Sequence, residues 1–280
     1  MRWLQLIRPL GYRPRLSSAY HALLFGYLAN MAIPRLGEIS RCGALRKSDE
    51  VPFEKLIGTV IVERLLDVMM LAICIALTAF MEFDRLGGFF MEHLIFPAKE
   101  KIGGSTALII IVLIISIVMI AGVYRLFRMS NPPQFVQKIK DLLVGVMQGL
   151  RAFAQVERKG LFAFHTIFIW LMYFLMSYLC FFALPDTQHL DAAAALFIMV
   201  LGGLGMTAPV QGGIGTYHLL VSSGLLLYGL TETDGLAYAT LSHTIATGLL
   251  IILGFISMLF LFFLIKTRNS AIEYESSAND

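Results

Sequence analysis

Three unbroken apolar stretches carry no Asp, Glu, Lys or Arg: residues 107–124, 161–184 and 236–265. About 20 apolar residues suffice to cross a bilayer as a helix, so each is predicted to be a span. A fourth stretch, 56–81, is long enough but contains Glu63-Arg64-Leu65-Leu66-Asp67. Two further apolar stretches are broken. Residues 19–33 stop at Pro34-Arg35-Leu36-Gly37 and resume as a short segment ending near residue 48. Residues 190–230 are interrupted by Thr207-Ala208-Pro209-Val210-Gln211-Gly212-Gly213-Ile214-Gly215. Elsewhere Phe135, Ile139, Leu142, Leu143, Val146, Leu150 and Phe153 recur at helical spacing, with Lys138, Lys140, Asp141 and Arg151 opposite. That pattern predicts an amphipathic helix over 134–158, lying on the cytoplasmic leaflet or packed under the bundle.

Composition agrees with a membrane protein. Of 280 residues 58% are apolar and 15% charged, too little charge to cover a soluble domain of this size. The fold class expected is therefore an all-α polytopic membrane protein. Cys42, Cys74 and Cys180 have no metal-ligand spacing and read as small buried hydrophobes. The formal net charge of +3 does not point to nucleic acid.

Charge placement orients the spans. Residues 1–18 hold Arg2, Arg8, Arg13 and Arg15 among Pro9 and Pro14, which reads as a basic cytoplasmic arm. Five Lys or Arg residues lie in 35–55 and seven in 125–160, whereas 185–190, 208–218 and 230–235 have none. Lys266 and Arg268 begin a polar tail over 266–280. Under the positive-inside rule both termini, 35–55 and 125–160 are cytoplasmic. The arm and 35–55 then share a side although 19–33 separates them. At 15 residues that stretch is short for a span, so 19–48 is predicted as a re-entrant hairpin from the cytoplasm. By the same reasoning 190–230 re-enters from the other face. The alternative is a pair of kinked spans, which puts the basic 35–55 segment outside.

Pro34-x-x-Gly37 and Pro209-x-x-Gly212 each follow an apolar half-helix and precede a long span. In those spans Glu63, Arg64 and Asp67, and then His243, Thr244 and Thr247, fall at i, i+1 and i+4. Opposite entry sides with the same internal order suggest an inverted-topology repeat, in which substrate lies where broken helices meet. Gly213 and Gly215 belong to the second break, with Gln211 beside them.

Ionised groups at membrane depth are costly and must pair or face a polar cavity. Arg64, Glu63 and Asp67 are thus either a structural ion cluster or a site for a polar or anionic headgroup, with an Arg64–Asp67 pair within reach on one helix face. Arg35 and Arg41, with Glu38 beside them and a helix beginning near Gly37, form a candidate phosphate corner, or else simple cytoplasmic anchors. Asn30 and His21 sit on the first half-helix. His243 reads as an interhelical hydrogen-bonding residue more readily than a proton carrier. No metal set, cofactor motif or nucleophile–base pair stands out, so no catalytic residue is assigned.

The ordered motifs Tyr27-x-x-Asn30-x-x-x-Pro34-Arg35-x-Gly37-Glu38-x-x-Arg41, Glu63-Arg64-x-x-Asp67 and Pro209-x-x-Gly212-Gly213-x-Gly215 resemble the lysylphosphatidylglycerol synthase transmembrane region family, the flippase-like domain proteins. The resemblance covers nearly the whole chain. It implies lipid translocation in a bacterial inner membrane, with Arg35, Arg41, Glu63, Arg64 and Asp67 as the matching polar positions. In larger members such a domain is fused to a soluble aminoacyltransferase. Only about 15 polar residues follow Ile265 here, so lipid synthesis by this chain is not expected. Members also carry further spans ahead of the position of Arg2-Trp3, which suggests a late start or a shortened member.

Two functions of different class are then open. One is a flippase or permease for a phospholipid or another anionic lipid-linked substrate. The other is a non-transporting subunit that docks a separate synthase or transferase. An intramembrane enzyme is the weakest reading, and oligomeric state is not readable.

Overall fold

The computed structural model describes residues 1–83 and 156–278, with 268–278 as backbone alone. The span expected at 105–124 and most of the amphipathic helix expected at 134–158 lie outside the described residues. The chain divides into two compact units, residues 1–78 with 149–280, and residues 79–148. The second lies almost wholly outside the described residues, and the first contains nearly all of the described helices.

Among the described residues the regular structure is helical: α1 (Arg2–Ile7), α2 (Leu16–Ala32), α3 (Leu36–Asp49), α4 (Phe53–Met81), α5 (Lys159–Phe181), α6 (Ala192–Thr207), α7 (Thr216–Leu226) and α8 (Glu232–Ala278). Helices α5 and α8 are long and apolar enough to cross a membrane. Phe164, Ile167, Leu249, Phe255, Phe262 and Phe263 on them are exposed. An apolar surface of that extent needs lipid or protein to cover it.

Helices α2 and α3 form an antiparallel hairpin. Ile33, which precedes Pro34, is extended at φ −136° and ψ 122°, because the proline ring excludes the helical region for its predecessor. Arg35 then adopts φ 64° and starts α3. The two helices touch at Gly26 and Gly37, where a Cβ on Gly26 would lie 2.7 Å from the Gly37 carbonyl oxygen. At the open end Asp49 accepts the Arg15 N–H at 3.0 Å and the Ser48 hydroxyl at 2.7 Å. Burial pushes the Asp49 carboxyl up, but these hydrogen bonds outweigh it and hold the group below its usual range.

Helices α6 and α7 form the second hairpin. Gly205 lets the backbones approach so closely that a Cβ there would sit 2.7 Å from the Tyr217 Cα. Small residues at such crossings are what tight packing in an apolar medium requires. The break between them opens with Ala208 extended before Pro209, then turns through Gly212 at φ 58° and Gly213 at φ 72°. The left-handed region is where glycine is favoured.

Helix α8 runs along both hairpins. Its first half meets α7, where the Tyr217 and Ser242 hydroxyls lie 3.0 Å apart. Its second half meets α2, where His21 Nδ1 lies 3.0 Å from the Ser257 hydroxyl and the His21 ring stacks on Phe260 with centroids 4.0 Å apart. The tips of the two hairpins touch as well: the Gln211 side-chain amide donates to the Ala32 carbonyl at 3.3 Å.

Within the basic stretch 1–18, α1 buries Arg2, Trp3, Leu4, Leu6 and Ile7. The backbone of α8 remains helical through Ala278, into the polar stretch 266–280. Residues 156–158, the end of the expected amphipathic helix, form a non-helical turn, and Val156 packs with Leu6, Val62 and Phe162.

Candidate functional site

Helix α4 places Glu63 and Asp67 one turn apart, with Arg64 beside them. Two carboxylates and one guanidinium on one helix leave an acid in excess, and a buried excess charge needs a partner from another segment. Two such partners are present. From α3, Arg41 donates from Nη2 to Glu63 at 2.7 Å. From α1, Arg2 holds Asp67 through Nη1 and Nη2, at 2.7 and 3.2 Å, and its Nε lies 3.5 Å from Glu63. Arg64 is held more loosely, with Nε 3.4 Å from Glu38 and Nη1 3.9 Å from Asp67. Three guanidiniums thus meet three carboxylates.

Exposure separates the arginines. The side chains of Arg2 and Arg41 are 9% and 4% exposed, whereas that of Arg64 is 53% exposed. The first two are locked by short bonds among buried groups. Arg64 has only the two longer contacts, to Glu38 and Asp67.

Trp3 supports the cluster from below. Its indole N–H donates to Thr59 at 2.9 Å, and the Arg41 guanidinium lies over its ring at 4.7 Å from the centroid. A cation on an aromatic face gains most where water is excluded.

A small recess opens beside Arg64, lined by Tyr27, Asn30, Gly37, Glu38 and Arg41 among others. Its free volume of about 10 Å³ is near the least that holds one water. Arg41 Nε and Glu38 Oε2, both on residues of that lining, are buried with no hydrogen-bond partner. A group larger than a water does not fit the recess as it stands.

The expected phosphate corner is built differently. The Gly37 N–H at the start of α3 is taken by the Asn30 side-chain oxygen at 2.6 Å, so Asn30 caps the helix. Arg41 is committed to Glu63, and Arg35 stays exposed at the hairpin tip. The local Arg64–Asp67 pair exists, but the short bonds of Asp67 go to Arg2.

Of the residues singled out in the sequence, Asn30, Glu38, Arg41, Glu63, Arg64 and Asp67 come together here. Pro34 and Gly37 shape the adjoining turn. Gln211 and His243 belong to the second break: His243 is buried and donates from Nε2 to the Gly212 carbonyl at 2.8 Å. The His218 ring lies 4.9 Å from it, and His218 Nδ1 accepts the Gly215 N–H at 3.4 Å. Two imidazoles thus bind backbone groups that the break takes out of helical bonding. Pro209 and Gln211 are exposed and Gly213 is buried. Among the described residues no group of three or more His, Cys, Asp or Glu side chains is placed to hold a metal.

Arg2 and Trp3 were missed by sequence reasoning. In the sequence Arg2 reads as one more topology charge in a basic arm. The usable signal was the acid excess on α4, which demands a cation from elsewhere.

The family model described as lysylphosphatidylglycerol synthase TM region matches residues 1–254. No curated protein and no solved structure matches the chain.

Proposed function

The chain belongs to the lysylphosphatidylglycerol synthase transmembrane region family, and on that footing we propose that it moves a phospholipid, or another lipid with an anionic headgroup, between bilayer leaflets. The observation that carries this reading is the asymmetry of the ion cluster. Two arginines are spent on its own carboxylates, and Arg64 is left half exposed with only loose contacts. A guanidinium in that condition binds a phosphate oxygen pair in bidentate fashion. Glu38, Asn30 and Tyr27 line the recess that the headgroup would enter, and Arg35 at the tip supplies a second cation.

The two hairpins are taken to be re-entrant, from opposite faces of an inner membrane, with both termini cytoplasmic. The similar order of the two breaks, read as an inverted repeat, supports this placement. So does the meeting of the two tips at Gln211 and Ala32, since irregular backbone at membrane depth belongs where it is covered by protein or lines a wet cavity. A single cysteine at Lys47 and one at Glu232 are expected to react with an impermeant reagent from opposite sides of the membrane. Reaction of both from one side rules out the two-hairpin topology.

Translocation is tested with the purified chain in vesicles, scoring movement of fluorescent phosphatidylglycerol between leaflets. Wild type is expected to accelerate it, and Arg64→Ala to lower the rate at least ten-fold while leaving thermal stability nearly unchanged, since an exposed, loosely paired side chain contributes little. Equal rates for Arg64→Ala and wild type would discard the headgroup site. A chain that moves no lipid but binds a separate synthase or transferase would instead be a docking subunit.

A further inference from the structure

Asp67 lies within reach of two arginines, and holds one closely and the other only at the limit of pairing. Its Oδ1 is 2.7 Å from Arg2 Nη1, and its Oδ2 is 3.2 Å from Arg2 Nη2. The same Oδ2 is 3.9 Å from Nη1 of Arg64, three residues earlier on α4. Residues at this spacing face one another, so Asp67 needs no backbone movement to close on Arg64. What prevents closure is the bidentate bond from α1, the stronger form of this pairing.

Arg2 is firmly mounted for that task. Its neighbour Trp3 is 5% exposed, bonded to Thr59 and covered by Arg41, and Leu4, Leu6 and Ile7 anchor α1 in the apolar core. We infer that Arg2 is a positioning residue: by occupying both oxygens of Asp67 it keeps that carboxylate off Arg64 and so leaves Arg64 available to an external anion. Without Arg2, Asp67 turns to Arg64, the pair becomes tight, and the one accessible guanidinium of the cluster is masked by its own helix.

The inference rests on the proposed headgroup role of Arg64 for its consequence in transport, but not for the exchange of partners itself. The primary test is therefore chemical. Phenylglyoxal modifies accessible guanidiniums, and mass spectrometry of the full chain in detergent reports the rate at Arg64. Arg2→Gln is expected to slow modification of Arg64 at least five-fold, and Arg2→Gln with Asp67→Asn to restore it within two-fold, because the amide cannot form the ion pair. A rate at Arg64 unchanged or raised in folded Arg2→Gln, or no restoration in the double variant, overturns the inference. Modification of buried Arg41 marks an unfolded variant. In that event Arg2→Lys carries the comparison, since a single ammonium covers the two oxygens less completely, and at least a two-fold fall at Arg64 is expected; no fall overturns the inference.

The second arm uses vesicles of phosphatidylcholine with graded fluorescent phosphatidylglycerol. Arg2→Gln is expected to raise the half-saturating probe fraction at least five-fold with the maximal rate within two-fold, and Asp67→Asn to reverse the rise. A loss of maximal rate that Asp67→Asn does not relieve would make Arg2 merely structural. If wild type moves no probe, the translocation reading fails while the labelling result still decides the role of Arg2.

Discussion

Replacing Glu63 by alanine is expected to destabilise the folded chain by about 3–5 kcal/mol, the range for removing one partner of a buried ion pair. Glu63 is 5% exposed and faces two guanidiniums, Arg41 at 2.7 Å and Arg2 at 3.5 Å. Among the described residues Arg41 has no alternative carboxylate at comparable distance, its Nε already lacks a hydrogen-bond partner, and its side chain is 4% exposed. The variant thus leaves a buried, unpaired cation, and the loss reflects that cation more than the lost attraction. A second substitution separates these contributions. Glu63→Leu with Arg41→Leu removes both charges and should recover most of the stability, because an apolar pair of similar volume carries no desolvation cost. Unfolding of the purified protein in mixed micelles, followed by helical signal against denaturing detergent, measures both. If Glu63→Ala unfolds within 1 kcal/mol of wild type, where ~1 kcal/mol is the ordinary cost of an exposed pair, the cluster is wetter than its burial implies.

Gly37→Ala comes next in size. The added Cβ would collide with the Gly26 carbonyl and the Asn30 side chain, and backbone on the opposite helix cannot swing aside as a flexible side chain does. The hairpin must open, and overpacking of this kind costs about 1–3 kcal/mol. Opening also lengthens the Asn30–Gly37 hydrogen bond that caps α3, for which a further loss of about 1 kcal/mol is expected. Because α2 and α3 carry Asn30, Glu38 and Arg41, the same displacement enlarges or distorts the recess. Gly37→Ala should therefore lower both stability and lipid movement, whereas Gly43→Ala, with nothing within 4 Å of a Cβ on the same helix, should leave lipid movement unchanged and raise stability by up to about 1 kcal/mol. Equal behaviour of the two variants in unfolding would show that the α2–α3 approach is looser than described.

Much of the architecture is legible in the sequence because its causes are local. Helix boundaries at residues 32–36 and 207–216 follow from Pro34 and Pro209, whose rings bar their predecessors from helical geometry wherever the chain goes. The apolar runs at 161–184 and 236–265 become α5 and α8 since length and lack of charge are properties of the run itself. Glu63, Arg64 and Asp67 are recognisable from the cost of ionised groups in apolar surroundings, and Glu38 and Arg41 from their place beside the first break.

Partner choice was not legible, because it depends on which segments meet. Arg41 reads equally well as a phosphate ligand or an anchor until α3 brings it against Glu63. Arg2 carries no local mark that distinguishes it from Arg8 or Arg13. Yet Arg8 and Arg13 are exposed and Arg2 is buried against Asp67, 65 residues away. Composition and hydrophobic pattern alone determined that this is a helical membrane protein with two broken helices and charges to be neutralised. Tertiary structure decided which charges neutralise one another, and left Arg64 the loosely held one, because ion pairing is set by distances between segments that no local pattern encodes.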